Sequence, residues 1–224
     1  MGHPGTEQIG ERMIRSRFCN IALGACLVLV PALRAQDNSW TIAPLDSFAN
    51  FTVKHLMIST VHGTAGGMKG TVIYDPMNPG KDSVEATIDV STLNTGVAKR
   101  DDQVKTDYFD VKKYPLIAFK STRVVKNKAG KLMMTGNLTI KDTTKQVVLA
   151  IDGPSQMVKD AQGRSKIGLT ATTKISRKDF GIVGTALDGA VEAGGIIVSD
   201  EVSIELDIEM TPTTAAATPA AVHK

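Results

Sequence analysis

At 224 residues the chain has room for one domain or a small pair. Its formal charge of +3 lies outside the middle of the chain, because residues 37–210 hold 21 basic and 21 acidic side chains. That balance speaks against a nucleic-acid-binding face, which carries a basic stripe. Both cysteines, Cys19 and Cys26, fall within the first 36 residues, so the remainder has no disulfide and no thiol nucleophile.

Arg15 and Arg17 precede an apolar run, Ile21 to Val30, which is followed by Pro31-Ala-Leu-Arg-Ala35-Gln36. A basic start, a short apolar core and a small residue before a polar one predict a signal peptide over residues 1–35, cleaved after Ala35. The core falls short of the roughly 20 apolar residues of a membrane span. Met13 stands where a signal of ordinary length would begin, so residues 1–12 read as a mis-assigned start. Leu23-Gly-Ala-Cys26 also resembles a lipobox with Cys26 as the lipidated residue. The apolar run continues past Cys26, and a soluble exported chain without a membrane span after cleavage is the expectation.

From residue 40 the dominant signal has period two, the mark of strands with one buried face. Eight runs alternate: Phe51-Val53-His55, Met68 to Tyr74, Val84 to Val90, Ile117 to Ser121, Leu132 to Ile140, Val147 to Ile151, Ile167 to Ile175, and Val202 to Met210. Short polar turns such as Asn127-Lys-Ala-Gly130 and Lys141-Asp-Thr-Thr144 separate several of them. Such connections favour antiparallel neighbours. Eight strands close naturally into a barrel, which removes the exposed edges of an open sheet. The predicted fold is therefore all-β, an eight-stranded antiparallel barrel over residues 37–210. Val97 to Phe109 lacks alternation and predicts one short helix between the third and fourth strands, with Asn94 or Thr95 as its cap. Gly181 to Ser199 is rich in glycine and alanine and reads as a flap. Residues 211–224 are small, Pro-interrupted and predict a disordered tail.

Catalytic motifs are missing from the sequence. There is no HExxH, GxSxG or SxxK, and His55 and His62, seven residues apart, would face opposite sides of a continuous strand. No metal is expected. His55 shares the apolar face with Phe51 and Val53, so it reads either as a buried, hydrogen-bonded histidine or as a polar anchor for a ligand. Arg100 reads either as a local ion pair or as a barrel-mouth contact for an anionic headgroup. The inner faces mix bulky residues with Gly70, Ala86, Ser121, Gly136 and Ala171. Small inward residues leave volume that a close-packed interior would fill.

Several stretches resemble the YceI-like family. They are Trp40-Thr-Ile, Phe51-Thr-Val-Lys-His55, Gly70-Thr-Val-Ile-Tyr-Asp75 and Ile88-Asp-Val-Ser-Thr-Leu-Asn-Thr95. Further on come Arg100-Asp101 with Tyr108-Phe109-Asp110, Tyr114 to Thr122, Gly136-Asn-Leu-Thr-Ile140 with Thr144-Lys145, and Ile175-Ser-Arg-Lys-Asp-Phe-Gly181. The resemblance implies a lipocalin-like barrel, periplasmic or secreted, with a polyisoprenoid or isoprenoid quinone in a central tunnel. Carried onto this chain, the lining would include Phe51, Val53, His55, Val72 and Tyr74, and also Ile88, Phe119, Leu138 and Leu149. The expected partner is an apolar, lipid-like small molecule, with no nucleic acid and no cofactor beyond a bound isoprenoid lipid; a homodimer stays open. The rival readings are a ligand-free, stress-related interaction module and an enzyme acting on such a lipid with His55 as general base.

Overall fold

The computed structural model describes residues 1–2, 38–184, 188 and 197–213. All but the first two residues of the predicted signal peptide, most of the predicted flap and most of the predicted tail lie outside those residues. Strands β1 (Ser39–Ile42) and β2 (Phe48–His55) run in the same direction along one edge of β11 (Glu201–Pro212). Ile42 stands opposite Met210 and Phe51 opposite Ile204. Strands β3 (Ser59–Ala65) and β4 (Lys69–Ile73) pair in turn with β2 and β1. Then follow β5 (Ser83–Asp89), β6 (Leu116–Lys126), β7 (Leu132–Ile140), β8 (Thr143–Asp152) and β10 (Ser165–Ser176), each antiparallel to its neighbour. A two-residue strand, β9 (Val158–Lys159), covers the start of β10. The other edge of β11 pairs with β10 from Ile167–Met210 to Ser176–Glu201 and closes the barrel.

The barrel has eight staves, and two of them are built from two strands each. The alternation found β2 and β4 but not β1 and β3, which complete those staves. β3 reads Ser-Thr-Val-His-Gly-Thr-Ala, with little contrast between its faces, and β1 is only four residues long. At the first break the Ser47 hydroxyl, fully buried, accepts from the Glu209 N–H at 3.0 Å and donates to its carbonyl. This supplies the partners that an unbroken strand would offer, as buried backbone groups require. At the second break Thr92 Oγ1 accepts from the Gly66 N–H at 2.8 Å and donates to its carbonyl at 3.1 Å. The β6–β7 register shifts between Ser121 and Arg123, leaving Thr122 as the extra residue of a bulge. The bulge resets the alternation, so Val124 joins Met134 and Leu149 in the core.

Helix α1 (Ala98–Gln103) continues into a wider π turn at Val104–Tyr108, within the connection expected between the third and fourth staves. Its cap differs from the expectation. Val97 holds the N-cap position without a side-chain bond, and Asp101 reaches back instead to the Thr95 N–H at 2.8 Å and to the Thr95 hydroxyl. A carboxylate in the first turn already serves the free amides and the helix dipole. The Thr95 bond, its largest influence, holds Asp101 below the usual carboxylate range. The final strand also exceeds the expected boundary at 210, since Thr211 and Pro212 pair with Thr41 and Trp40.

Strand directions give the barrel two ends. At the β1 end, Trp40, Ile42, Met68, Val72, Ile167 and Met210 pack into one buried cluster. At the α1 end, Tyr108, Ile140, Phe180 and Ile182 form a cap.

Candidate functional site: an apolar cavity inside the barrel

Between the two ends lies a cavity of about 270 Å³ whose wall presents only apolar surface. It falls just below the roughly 300–1,000 Å³ typical of small-molecule sites. Two close approaches shape it. The Phe51 ring lies against Gly63, the residue opposite it on β3, where a Cβ would stand 2.2 Å from the ring. The Phe119 ring lies against Gly136 on β7, where a Cβ would stand 2.3 Å away. Each glycine lets an aromatic ring lie flat on the neighbouring stave instead of projecting across the lumen. The inward glycines of the sequence thus account for part of the open volume.

A larger depression, about 850 Å³, lies on the outside across β2, β11, β10 and β8. Asn50, Thr52, His62, Lys174 and Glu205 border it, so its surface mixes polar and apolar groups where the inner wall is apolar. It follows the seam where β8 meets β10 over only Ala150–Asp152 and Thr170–Thr172.

Seven of the ten predicted site residues stand on the cavity wall: Phe51, Val53, Val72, Ile88, Phe119, Leu138 and Leu149. The other three do not. His55 is the last residue of β2, half-buried, and its backbone bridges to Val198 at the rim. Alternation fixes its face, but the strand ends before that face meets the cavity. Tyr74 lies past the end of β4, donates its N–H to the Asn38 carbonyl at 2.9 Å, and borders an outer depression with Pro76 and Asp82. Burial, and secondarily Asp82, raises its phenol above the ordinary value. Arg100 turns back onto its own loop, donating from Nε to Thr95 Oγ1 at 2.7 Å and from Nη2 to the Thr95 carbonyl at 2.9 Å. The guanidinium is thus engaged by Thr95 of its own loop.

Arg177 is the residue that the sequence reading missed. It is 3% exposed and borders the cavity. Nε donates to the Ser199 carbonyl at 3.1 Å and Nη1 to the Ile182 carbonyl at 2.7 Å. Nη2 donates to the Val198 carbonyl at 3.0 Å and to Asp188 Oδ1 at 2.7 Å. One buried cation therefore ties both arms of the loop between β10 and β11 to the end of β10. Asp188 also accepts from the Gly184 N–H at 2.9 Å and faces Lys178 Nζ at 3.3 Å. Its bond from Arg177, more than any other influence, holds its carboxyl far below the usual range. A signal for Arg177 was present, since the inward parity of Thr173 and Ile175 continues to 177.

Together these features define a class: a closed antiparallel barrel enclosing an apolar cavity of small-molecule size. The chain belongs to the YceI-like domain family, whose model matches residues 40–210. A UPF0312 protein of Photorhabdus laumondii is 32% identical over 169 residues, spanning 75% of this chain and 87% of the relative. Protein YceI of Salmonella newport is 36% identical over 156 residues, 69% of this chain and 80% of that one. Among solved structures, Burkholderia cenocepacia BcnA superposes with a TM-score of 0.61 at 25% identity, covering 75% of this chain and 98% of its own. A polyisoprenoid-binding domain from Saccharophagus degradans shares the fold with a TM-score of 0.56 at 13% identity, covering 77% and 98%. Among the described residues no helix is long and apolar enough to cross a membrane.

Proposed function

We propose that this protein is a binding or carrier protein, not an enzyme, which holds a polyisoprenoid or isoprenoid-quinone-type lipid inside its barrel after export to the periplasm or beyond. The observation that carries this reading is the apolar cavity, bordered by Phe51, Val53, Val72, Ile88, Phe119, Leu138 and Leu149. Each methylene moved from water into such a wall contributes about 0.8 kcal/mol, so an unbranched or isoprenoid chain gains affinity with length. A cavity of about 270 Å³ holds a segment of a long chain, and the remainder would leave at the α1 end. The solved Saccharophagus barrel, named for polyisoprenoid binding, lends the ligand class by likeness of fold. The signal-like start of the sequence supports export.

Native mass spectrometry of the protein recovered from its producing cell, followed by organic extraction, tests the reading. A stoichiometric adduct whose extract is an isoprenoid lipid is the expected result. Repeated preparations without any adduct, combined with failure to take up an added isoprenoid alcohol, would overturn it.

A further inference from the structure

The hairpin between β2 and β3 sits at the α1 end and turns through His55-Leu56-Met57-Ile58, where the Ile58 N–H donates to the His55 carbonyl at 3.1 Å. Leu56 and Met57 both lie in the left-handed region, with φ of 51° and 61°. Two positive φ values in succession mark a type I′ turn, which strongly favours Asn-Gly because side chains branching from Cα crowd the backbone there. Bulky apolar residues at those positions oppose the turn's own preference. Leu56 is partly covered, but Met57 and Ile58 gain little from the core. Leu56, Met57 and Ile58 are 37%, 57% and 85% exposed, a continuous apolar prow on a polar hairpin. A sequence that breaks a local rule with little packing gain points to a use outside the folded chain.

Its position suggests the use. The Leu56 N–H donates to the Ile197 carbonyl at 2.7 Å, and His55 bridges Val198, which borders the cavity. The prow therefore stands beside the loop that Arg177 ties across the α1 end. On the shaft of the same hairpin, Lys54 holds its ammonium 2.7 Å from Thr60 Oγ1, one step below the tip. An apolar tip with a cation just behind it matches the depth profile of a bilayer surface, with hydrocarbon outermost in reach and phosphate beneath the charge. Exposed apolar residues at the β1 end do not repeat this arrangement: Leu45 and Met77 stand singly, and Met157 and Val158 flank the edge of β9.

We propose that the Leu56-Met57-Ile58 turn is a membrane-docking element that seats the α1 end of the barrel on a phospholipid surface containing anionic headgroups. The inference builds on the cavity's reading as a lipid site, since a water-insoluble ligand must pass between bilayer and barrel. Docking at this end would shorten its path through water.

The test uses the chain as recovered from the extracytoplasmic fraction and large unilamellar vesicles of phosphatidylethanolamine with a minority of phosphatidylglycerol. Cosedimentation is compared for the natural protein, for Leu56→Asn/Met57→Gly/Ile58→Ser, and for Met77→Asp at the opposite end. The natural protein and Met77→Asp should pellet with vesicles alike, while the triple variant should bind about tenfold less or weaker still. The same triple variant should melt no lower than the natural protein, because Asn-Gly suits the turn. Vesicle binding of the triple variant within about twofold of the natural protein overturns the proposal. So does a natural protein that stays in the supernatant, or an equal loss in Met77→Asp. A tip that changes only the oligomeric state of the free protein, leaving vesicle binding intact, also overturns it in favour of a contact between copies. Uptake of an added isoprenoid alcohol, read by native mass spectrometry, is measured alongside. Its absence in the natural protein defeats the cavity reading alone, and its persistence in the triple variant separates docking from loading.

Discussion

The two ends of the barrel are closed by different physics. At the β1 end, Trp40, Ile42, Met68 and Met210 are almost wholly buried and exclude water through apolar packing. At the α1 end an apolar cap is held by directed bonds, with Arg177 reaching three carbonyls and a carboxylate. Packing is non-directional and insensitive to pH, so it makes a permanent floor. A buried cation with named partners has few alternative arrangements and can be released as a unit. The α1 end is therefore the one whose closure depends on directed bonds.

Removing the floor should have the largest effect. Trp40→Ala deletes a large side chain that is 8% exposed, and a loss of about 3–5 kcal/mol in chemical denaturation is expected. A loss confined to local opening, with global stability unchanged, would show that the β1 end is not the anchor. Asp188→Asn should cost less, about 1–3 kcal/mol, because it leaves Arg177 buried with its carbonyl partners but without its counter-charge. Hydrogen exchange should then rise first at residues 182–184 and 197–199, leaving β10 and β11 protected.

The same substitution carries a pH dependence. The Asp188 carboxyl is held below its unfolded value, chiefly by its bond from Arg177. Its contribution is therefore fully present above about pH 4 and is lost as pH falls through the lower folded value. Melting curves of the natural protein and Asp188→Asn should stay apart at neutral and mildly acid pH and converge only in strong acid. A gap that closes near pH 6 would assign the clasp to another group. Gly63→Ala should have the smallest effect on stability, about 1 kcal/mol, because the three atoms nearest its new Cβ all belong to the Phe51 ring, which can swing into open space. A crystal structure of that variant should show the ring displaced into a smaller cavity.

Much of the fold was legible because period two survives along the long strands, apart from the bulge in β6. Val202 to Met210 alternates without interruption, and the structure pairs it along both edges. The two broken staves were only half legible. The alternation of β2 and β4 is clear, but β1 alternates over only four residues and β3 is mostly small or hydroxyl-bearing, so the pairing of both depends on partners distant in sequence. Seven wall residues followed from parity and likeness to the family, whereas His55 and Tyr74 show where parity fails. Parity assigns a face, but it does not say where a strand leaves the barrel. Arg100 and Arg177 show a second limit. Both are arginines near the α1 end, yet one folds back onto Thr95 while the other enters the interior. That distinction depends on carbonyls at 182, 198 and 199, which only the folded loop brings together.

We propose that the lumen holds an apolar chain. Titration with an isoprenoid alcohol, comparing the natural protein with Ala86→Phe, tests it most directly, because Ala86 borders the cavity and a phenyl ring there would occupy it. One bound molecule per natural barrel is expected, with a loss of about tenfold or more in affinity for a variant that still melts cooperatively. Equal binding by both proteins, or none by the natural one, would contradict it.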